Sequence, residues 1–151
     1  MDRIVKNKII LQFLSRGENV ALSRIAIAAL ASQLDLTLND LEEIKVATSE
    51  AVSNAIIHGY QNDANRIVKM TGILYDDLIE IAVSDDGIGI TDVKEAMQPA
   101  FSTDPDRMGL GFVFMQSFMD EVLVESEIDH GTTVTLRKRI SGSEAEHEAV
   151  S

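Results

Sequence analysis

The stretch EAVSNAIIHGY, residues 50–60, places a carboxylate and a carboxamide one helical turn apart within an otherwise apolar run. Residues i and i+4 of an α-helix lie on nearly the same face, so Glu50 and Asn54 are expected to point the same way. A polar group placed near a core costs about 1–3 kcal/mol unless it finds a partner. The two side chains are therefore either solvated surface groups or contacts for a molecule that the chain does not encode.

The helix that carries this pair is predicted from signals at both of its ends. Asn39 suits the N-cap position, and Glu42 three residues later completes a capping box. The helix is predicted to run to about His58, with Gly59 as the C′ residue. His58 is interpreted as a structural residue at the helix end.

The segments on either side of this helix predict one sheet layered against helices. Upstream, residues 8–14 predict a strand, and residues 18–34 predict a helix because small and apolar positions recur at helical spacing (Ala21, Leu22, Ile25, Ala28, Ala29 and Ser32). Downstream, we predict strands at 66–75, 78–85, 120–127 and 132–140, and helical segments at 92–97 and 109–119. This order predicts a single α+β domain over residues 1–140, a two-layer sandwich with helices on one face of a mixed, mostly antiparallel sheet. Residues 141–151 form an acidic tail that we expect to be disordered.

Composition excludes several classes of function. With 151 residues, 45% of them hydrophobic and 25% charged, the chain matches an ordinary soluble globular domain. Its net charge of -12 argues against a protein that grips a nucleic-acid backbone. The absence of cysteine excludes disulfides and thiolate metal sites. Since no segment is apolar and long enough to span a bilayer, we expect a cytoplasmic protein without membrane contact.

Two pairs of glycines mark a second candidate region. Gly87 and Gly89 follow Asp85 at the end of a predicted strand, and Gly109 and Gly111 open a predicted helix. A strand that ends in Asp and continues as G-x-G lets the backbone approach a flat ligand, while the carboxylate accepts a hydrogen bond from it. Glycines at a helix N-terminus expose unpaired N–H groups that suit phosphates. Each motif alone also fits a tight turn or a flexible helix start.

Phosphate chemistry would give Glu50 and Asn54 a role, although the P-loop, protein-kinase and Rossmann motifs are absent. The side-chain oxygen of Asn54 could ligate a Mg²⁺ ion that also bridges phosphates. Glu50, one turn earlier, could accept a proton from a hydroxyl that attacks the terminal phosphate. A solvent-facing pair on a helix would explain the same two residues without any ligand.

Four motifs taken together resemble the gyrase–Hsp90–histidine kinase–MutL ATPase family. They are E-x-x-x-N from Glu50, D-x-G-x-G from Asp85, G-x-G from Gly109 and a late G-T from Gly131. The resemblance covers residues 8–140. Within it, EIKVATSEAVSNAIIHGY, VSDDGIGI, MGLGFVFMQSFMDEVLVESE and GTTV are most similar to the anti-sigma serine kinases. The sporulation branch of these kinases fits best, and the stress-response branch is the near alternative.

The resemblance implies a Bergerat-type ATP-binding fold and assigns roles at the adenine end of the site. Asp85 would accept a hydrogen bond from the adenine amino group. Gly87 and Gly89 would lie beside the purine, and Thr132 would support this end of the site by hydrogen bonding.

The same resemblance assigns roles at the phosphate end. Asn54 would coordinate Mg²⁺, and Glu50 would act as the catalytic base. Residues 98–108 would form an ATP lid from which Arg107 reaches the phosphates, beside the amides of Gly109 and Gly111.

The carboxylate at position 50 bears on the class of reaction. A serine hydroxyl or a water needs a base, whereas a neutral histidine nitrogen attacks unaided, so Glu50 predicts a hydroxyl or water acceptor. The resemblance implies a protein serine kinase that binds and inhibits a sigma factor and phosphorylates a serine of its anti-anti-sigma antagonist. Arg24 on the first helix would contact protein partners. Two rivals stay open, a non-catalytic ATP-dependent sigma-binding module and a plain core domain with no ligand.

The first predicted strand also carries an expectation about assembly. Residues 8–14, KIILQFL, are apolar, and an uncovered apolar edge strand is open to aggregation. We therefore expect a homodimer formed through the first strand and helix.

Overall fold

The computed structural model describes residues 3–98 and 108–140, which form a five-stranded sheet with helices packed on one face. The strands are β1 Val5–Leu14, β2 Ile67–Tyr75, β3 Leu78–Asp85, β4 Glu121–Glu127 and β5 Gly131–Arg139. The helices are α1 Glu18–Ala31, α2 Leu38–Asn54, α3 Val93–Ala96 and α4 Met108–Phe118. This arrangement confirms the predicted α+β two-layer sandwich.

The sheet has the order β1-β2-β3-β5-β4, so β1 is an edge strand, as the sequence predicted. The four pairings between the described strands are all antiparallel, and the mixed sheet that was predicted therefore has no parallel pair in this part of the chain. Arg107, most of the predicted lid and the predicted tail lie outside the described residues.

Period-two alternation along the central strands builds the core. Val68, Met70 and Leu74 of β2 are buried, and so are Ile79, Ile81 and Val83 of β3. Successive side chains of a strand point to opposite faces, so these residues share the face that packs against the helices. They meet the buried residues of α1 and α2, which include Ile27, Leu30, Ile44 and Val52.

Helix α1 is present as predicted, but it ends at Ala31 and buries a different set of side chains. Ile27, Leu30 and Ala31 face the core, whereas Leu22 and Ile25 are 47% and 67% exposed. Nearly every position of this helix is small or apolar, so periodicity could not decide which side faces inward. The outer face of α1 is consequently apolar.

Helix α2 begins two residues earlier than predicted, and Asn39 is not its N-cap. The Thr37 hydroxyl accepts a hydrogen bond from the Asp40 N–H (3.0 Å), and the Asp40 carboxylate accepts one from the Thr37 N–H. This is a capping box in which Thr37 and Asp40 replace the predicted Asn39 and Glu42. The Asn39 amide donates instead to Glu43 (2.9 Å).

The C-terminal end of α2 also differs from the prediction. Residues Ala55–Gly59 form a single π-helical turn, which is closed by the Tyr60 N–H on the Ala55 carbonyl. Gly59 therefore belongs to the helix and is not a left-handed C′ residue. The left-handed backbone follows at Gln61 and Asn62, with φ angles of 52° and 64°. Insertions of this kind are frequent at functional sites.

None of the helices in the described part of the chain has the length and apolar character needed to cross a membrane.

Candidate functional site

A pocket of about 370 Å³ lies between α2, its π turn, α4 and the ends of β3 and β5. The pocket is partly open, and this volume includes space that is continuous with solvent. Its walls are formed by Ala51, Asn54, Ala55, His58, Gly59, Val83, Asp85, Gly89, Ile90, Phe112, Thr132 and Val134. Four residues singled out from the sequence, Asn54, Asp85, Gly89 and Thr132, thus surround one cavity.

Asp85 lies at one end of this pocket because β3 terminates there. Its side chain is 7% exposed and accepts hydrogen bonds from the backbone N–H of Gly87 (2.9 Å) and of Thr132. Burial raises the pKa of the Asp85 carboxyl, and these two hydrogen bonds act in the opposite direction. The result is a buried carboxylate that faces the cavity and can accept a further hydrogen bond from a ligand.

The glycines of the D-x-G-x-G motif serve close packing within the protein as well as the pocket. A Cβ on Gly87 would lie 1.9 Å from the Gly59 carbonyl oxygen, and a Cβ on Gly59 would lie 2.6 Å from the Asp85 carboxylate. Gly87 is thus packed against the end of α2 and is not among the walls of this pocket, and its contact with a ligand stays a prediction. Gly89 has a φ of 78°, lines the pocket, and has the Glu127 carbonyl 2.3 Å from where its Cβ would be.

Thr132 pairs with Asp85 across β3 and β5, and its hydroxyl bonds the Ser126 hydroxyl at 2.8 Å. Ser126 Oγ also accepts the Ile90 N–H at 2.7 Å, which ties the loop after Gly89 to β4. Thr132 is therefore tied to the Asp85 end by hydrogen bonds within the protein, and its role toward a bound adenine stays a prediction.

Glu50 and Asn54 both lie against the first turn of α4, and Asn54, but not Glu50, is one of the pocket walls. A Cβ on Gly111 would lie 3.0 Å from Glu50 Oε2 and 3.3 Å from Asn54 Nδ2. Both predicted helix glycines, Gly109 and Gly111, are buried within this turn. The E-x-x-x-N pair and the G-x-G motif thus meet in space, although more than 50 residues separate them in the sequence.

Neither Glu50 nor Asn54 is a freely solvated surface group. The Asn54 side-chain nitrogen is buried without a hydrogen-bond partner among the described residues. Glu50 is half-buried, and burial raises the pKa of its carboxyl. Of the two explanations that the sequence left open, the environment favours contacts with a molecule that is not part of the chain.

The donor set at this end fits a magnesium ion shared with phosphates. The side-chain oxygen of Asn54 is the kind of ligand that Mg²⁺ prefers, one or two protein oxygens together with substrate phosphates and water. The unpaired side-chain nitrogen of Asn54 is a hydrogen-bond donor and suits an acceptor such as a phosphate oxygen. No cluster of three or more His, Asp or Glu side chains suited to a metal occurs in residues 3–98 and 108–140. A metal site built from the protein alone is therefore not found in that part of the chain.

Arg24 lies away from the pocket wall, on the exposed side of α1. Its Nε donates a hydrogen bond to Ser49 Oγ (2.8 Å), and Ser49 Oγ donates to the Lys45 carbonyl (2.9 Å). This places Arg24 beside α2, next to the residue that precedes Glu50. The predicted phosphate contact of Arg107 cannot be placed, because Arg107 lies outside the described residues.

Sequence reasoning missed several wall residues. His58 had been interpreted as structural, yet it lines the pocket, and its spacing of four residues from Asn54 was the available signal. Ile90, Phe112 and Val134 supply apolar walls, and nothing in their sequence pattern separates them from core residues. Ser126 carried no motif, because its role depends on strand pairing.

Comparison with known proteins agrees with this geometry. Residues 13–138 match the family described as the histidine kinase-like ATPase domain. The chain is 50% identical over 143 residues to an anti-sigma F factor of Geobacillus kaustophilus, a match that covers 93% of this chain and 98% of the relative. It is 51% identical over 136 residues to an anti-sigma F factor of Geobacillus stearothermophilus, covering 89% and 93%.

Among solved structures, the fold is similar to the crystal structure of the RsbU and RsbW domains of Rv1364c from Mycobacterium tuberculosis. The TM-score is 0.66 at 20% sequence identity, and the match covers 89% of this chain and 33% of that one. At this level of identity the likeness concerns the fold alone.

Proposed function

This chain belongs to the anti-sigma F factor family, which is built on the histidine kinase-like ATPase domain, and we propose that it is a Mg·ATP-dependent protein serine kinase. It binds and inhibits a sigma factor of the sigma F type, and it phosphorylates a serine of the anti-anti-sigma protein that antagonises it. Relatives that match 98% of their own length support the anti-sigma assignment.

The observation that carries the kinase proposal is the meeting of Glu50, Asn54 and Gly111. The two side chains lie within 3.4 Å of the place where a Cβ of Gly111 would stand, at the N-terminal turn of α4. A helix N-terminus offers backbone N–H groups and the positive end of its dipole to phosphate oxygens. A carboxylate at this position can take the proton of an attacking hydroxyl.

Each residue then has a defined part in the transfer. Glu50 accepts the proton of the serine hydroxyl while the serine oxygen forms a bond to the terminal phosphorus, and the bond from that phosphorus to the bridging oxygen breaks to release ADP. Asn54 offers its side-chain oxygen to Mg²⁺, which neutralises charge on the phosphates when it is bound. Asp85 holds the adenine through its amino group. The half-buried setting that raises the pKa of Glu50 makes this carboxylate a better proton acceptor than an exposed one.

The test is transfer of labelled phosphate from ATP to the anti-anti-sigma protein. We expect Glu50→Gln to reduce the transfer rate roughly 100-fold or more, since general-base catalysis contributes about 10²–10⁴-fold. ATP affinity should stay within about threefold of the wild type. Glu42→Gln on the exposed side of α2 is the matched control, because Glu42 pairs with Lys45 at 3.0 Å and lies outside the pocket wall.

The outcomes separate the rival functions. Equal transfer by wild type and Glu50→Gln contradicts the assignment of the base. Retention of ATP binding and sigma inhibition without any transfer by the wild type favours a non-catalytic sigma-binding module.

The outer face of α1 supports the proposed partner contact of Arg24. Leu22 and Ile25 are exposed on either side of Arg24 in the sequence, and the Ser49 hydroxyl holds the guanidinium by one hydrogen bond. Arginine is enriched at protein interfaces, and the buried core of an interface is more apolar than the rest of the surface. We expect Arg24→Ala to weaken binding of the sigma factor by roughly tenfold or more while ATP affinity is unchanged. Unchanged sigma binding would remove Arg24 from the interface.

The open face of the edge strand supports the proposed homodimer. Ile10 is 57% exposed, and Leu14 of β1 pairs with Ile67 of β2, with 38% and 46% of these side chains exposed. The sequence prediction included α1 in the interface, and only the β1 part of that prediction has this support. Sedimentation of Ile10→Asp should show a monomer where the wild type is dimeric, whereas Leu123→Asp on the opposite edge strand should stay dimeric. A monomeric wild type would contradict the proposal.

A further inference from the structure

A buried tyrosine hydroxyl lies directly behind the Asp85 turn. Tyr60 follows the π turn at the end of α2 and is 5% exposed. Its hydroxyl accepts a hydrogen bond from the Asp86 N–H (2.7 Å) and donates one to the Ile67 carbonyl. Burial raises the pKa of this hydroxyl, so it keeps the proton that it donates at neutral pH.

Arg66 completes this arrangement from the solvent side. Its guanidinium carbon lies 4.6 Å from the centre of the Tyr60 ring, and its Nη2 donates a hydrogen bond to the Asp86 carbonyl (2.9 Å). The N–H and the C=O of Asp86 are therefore both bound by side chains from the connection between α2 and β2. We call Tyr60 and Arg66 the Asp86 clamp.

The clamp acts on the residue that follows Asp85. The Asp85 carboxylate faces the pocket, while the clamp fixes the backbone on the other side of the same turn. The carboxylate is also packed against Gly59, the residue that precedes Tyr60. A hydrogen bond between a carboxylate and a ligand amino group weakens steeply when its distance and angle drift, so a fixed backbone preserves it.

We propose that Tyr60 and Arg66 are positioning residues that hold the Asp85 carboxylate in register with the exocyclic amino group of a bound purine nucleotide. This inference rests on the proposed function, because it assumes that the pocket takes ATP. On this proposal, the clamp is the reason that the pocket prefers a purine with an amino group to one with a carbonyl group at the same position.

The experiment measures binding of ATP and of inosine triphosphate, which carries a carbonyl in place of the amino group, by calorimetry with Mg²⁺. Tyr60→Phe removes only the hydroxyl and keeps the ring under Arg66. Tyr75→Phe is the matched control. Tyr75 ends β2, whereas the Tyr60 hydroxyl bonds Ile67 at the start of that strand, and Tyr75 also has an arginine, Arg3, over its ring at 6.0 Å. These are the two tyrosines of the chain.

We expect a change in how strongly the protein prefers ATP to inosine triphosphate. Tyr60→Phe removes the hydrogen bonds of the hydroxyl to Asp86 and Ile67. It should weaken ATP binding roughly three- to tenfold and change inosine triphosphate binding by less than about twofold. The ratio of the two affinities should fall accordingly, and Tyr75→Phe should leave it unchanged. Equal loss for both nucleotides, or no loss, would overturn the inference, since a purely structural tyrosine leaves the ratio untouched.

Arg66→Met gives a second measurement that does not depend on a buried substitution. Arg66 is exposed, so this variant should fold, and it removes both the contact with the ring and the hydrogen bond to Asp86. The affinity ratio should fall in the same direction, whereas Arg3→Met should not change it. A wild type that binds neither nucleotide refutes the proposed function and this inference with it. A wild type that binds ATP, together with unchanged ratios in both clamp variants, refutes this inference alone.

Discussion

The two ends of the pocket differ in how far the protein satisfies its own polar groups. At the Asp85 end, the carboxylate, the loop amides and the Thr132 hydroxyl have partners within the chain. At the Asn54 end, the side-chain nitrogen is buried with no hydrogen-bond partner in the described part of the chain. The Asp85 end is therefore preorganised by the protein, whereas the polar group at the Asn54 end is available to pair with a ligand.

This difference matches the chemistry proposed for each end. Recognition of a flat base needs a fixed acceptor, and a fixed acceptor needs a rigid backbone. Phosphoryl transfer needs groups that are free to meet phosphate oxygens, a metal ion and an incoming hydroxyl. Substitutions at the first end should therefore change affinity, whereas substitution of Glu50 at the second end should change the rate of transfer.

The largest effect is expected from Gly87→Ala. The added Cβ would stand 1.9 Å from the Gly59 carbonyl oxygen, so the backbone of the Asp85 turn must shift. We expect ATP affinity to fall roughly 100-fold or more, and the melting temperature to fall by about 3–10 °C, as overpacking of about 1–3 kcal/mol implies. Calorimetry and thermal unfolding measure the two quantities.

Gly17→Ala is the control for this variant. A Cβ at Gly17 would meet nothing within 4 Å, so the same chemical change should leave both quantities unaltered. Normal ATP binding by Gly87→Ala would show that the Asp85 turn is not rigid.

Asp85→Asn should lower the affinity for ATP without lowering the stability of the ligand-free protein. Loss of a charged acceptor should weaken ATP binding roughly 10- to 100-fold. The free energy of unfolding of the ligand-free protein should not fall, because burial disfavours the charged carboxylate at this position. Asp76→Asn, in the exposed turn between β2 and β3, serves as the control and should bind ATP normally, because Asp76 lies outside the pocket wall. Full affinity in Asp85→Asn would place the adenine elsewhere.

The fold was largely predictable from the sequence, because alternation in β2 and β3 and the apolar positions of α2 each admit one arrangement. Asp85 could be recognised as a candidate because it ends a strand and precedes two glycines. The start of α2 could not be fixed, since Thr37 and Asn39 both suit an N-cap. Its π turn was hidden because Gly59 is also a common C′ residue.

The residues that support the site could not be predicted from the sequence, and the reason is different. The bond between Tyr60 and Asp86 joins residues 26 apart in the chain, and the bond between Ser126 and Ile90 joins residues 36 apart. Such contacts exist only after the strands have paired. A motif can therefore identify the residue that meets a ligand without identifying the residues that hold it in place.

A smaller effect is expected from Ser126→Ala. It leaves the Ile90 N–H without its partner and should weaken ATP binding roughly three- to fivefold. Ser84→Ala is the matched control, because Ser84 makes the same kind of bond to a threonine hydroxyl, that of Thr133 at 3.0 Å, on the opposite face of the sheet. An equal loss in both variants would indicate a general effect on the sheet.

The smallest effect is the part of the pH dependence of the free energy of unfolding that arises from Glu50. Its pKa is raised by burial in the folded protein, so the stability that this group contributes is fully present below the ordinary pKa of glutamate and is lost as pH rises through the folded value. Urea unfolding from about pH 4 to 7 should therefore show the wild type losing stability relative to Glu50→Gln as pH increases. A difference that is constant with pH would contradict the burial of this carboxylate.

The most direct test of the account is the melting temperature of the wild-type protein with and without Mg·ATP. If the pocket binds this ligand, a concentration near 100 times the dissociation constant should stabilise the fold by about 2.7 kcal/mol, which corresponds to a rise of roughly 5–10 °C. Asn54→Ala should show a smaller rise, because it removes the proposed oxygen ligand of the metal. A melting temperature that does not change at millimolar Mg·ATP would contradict the claim that this pocket is a nucleotide site.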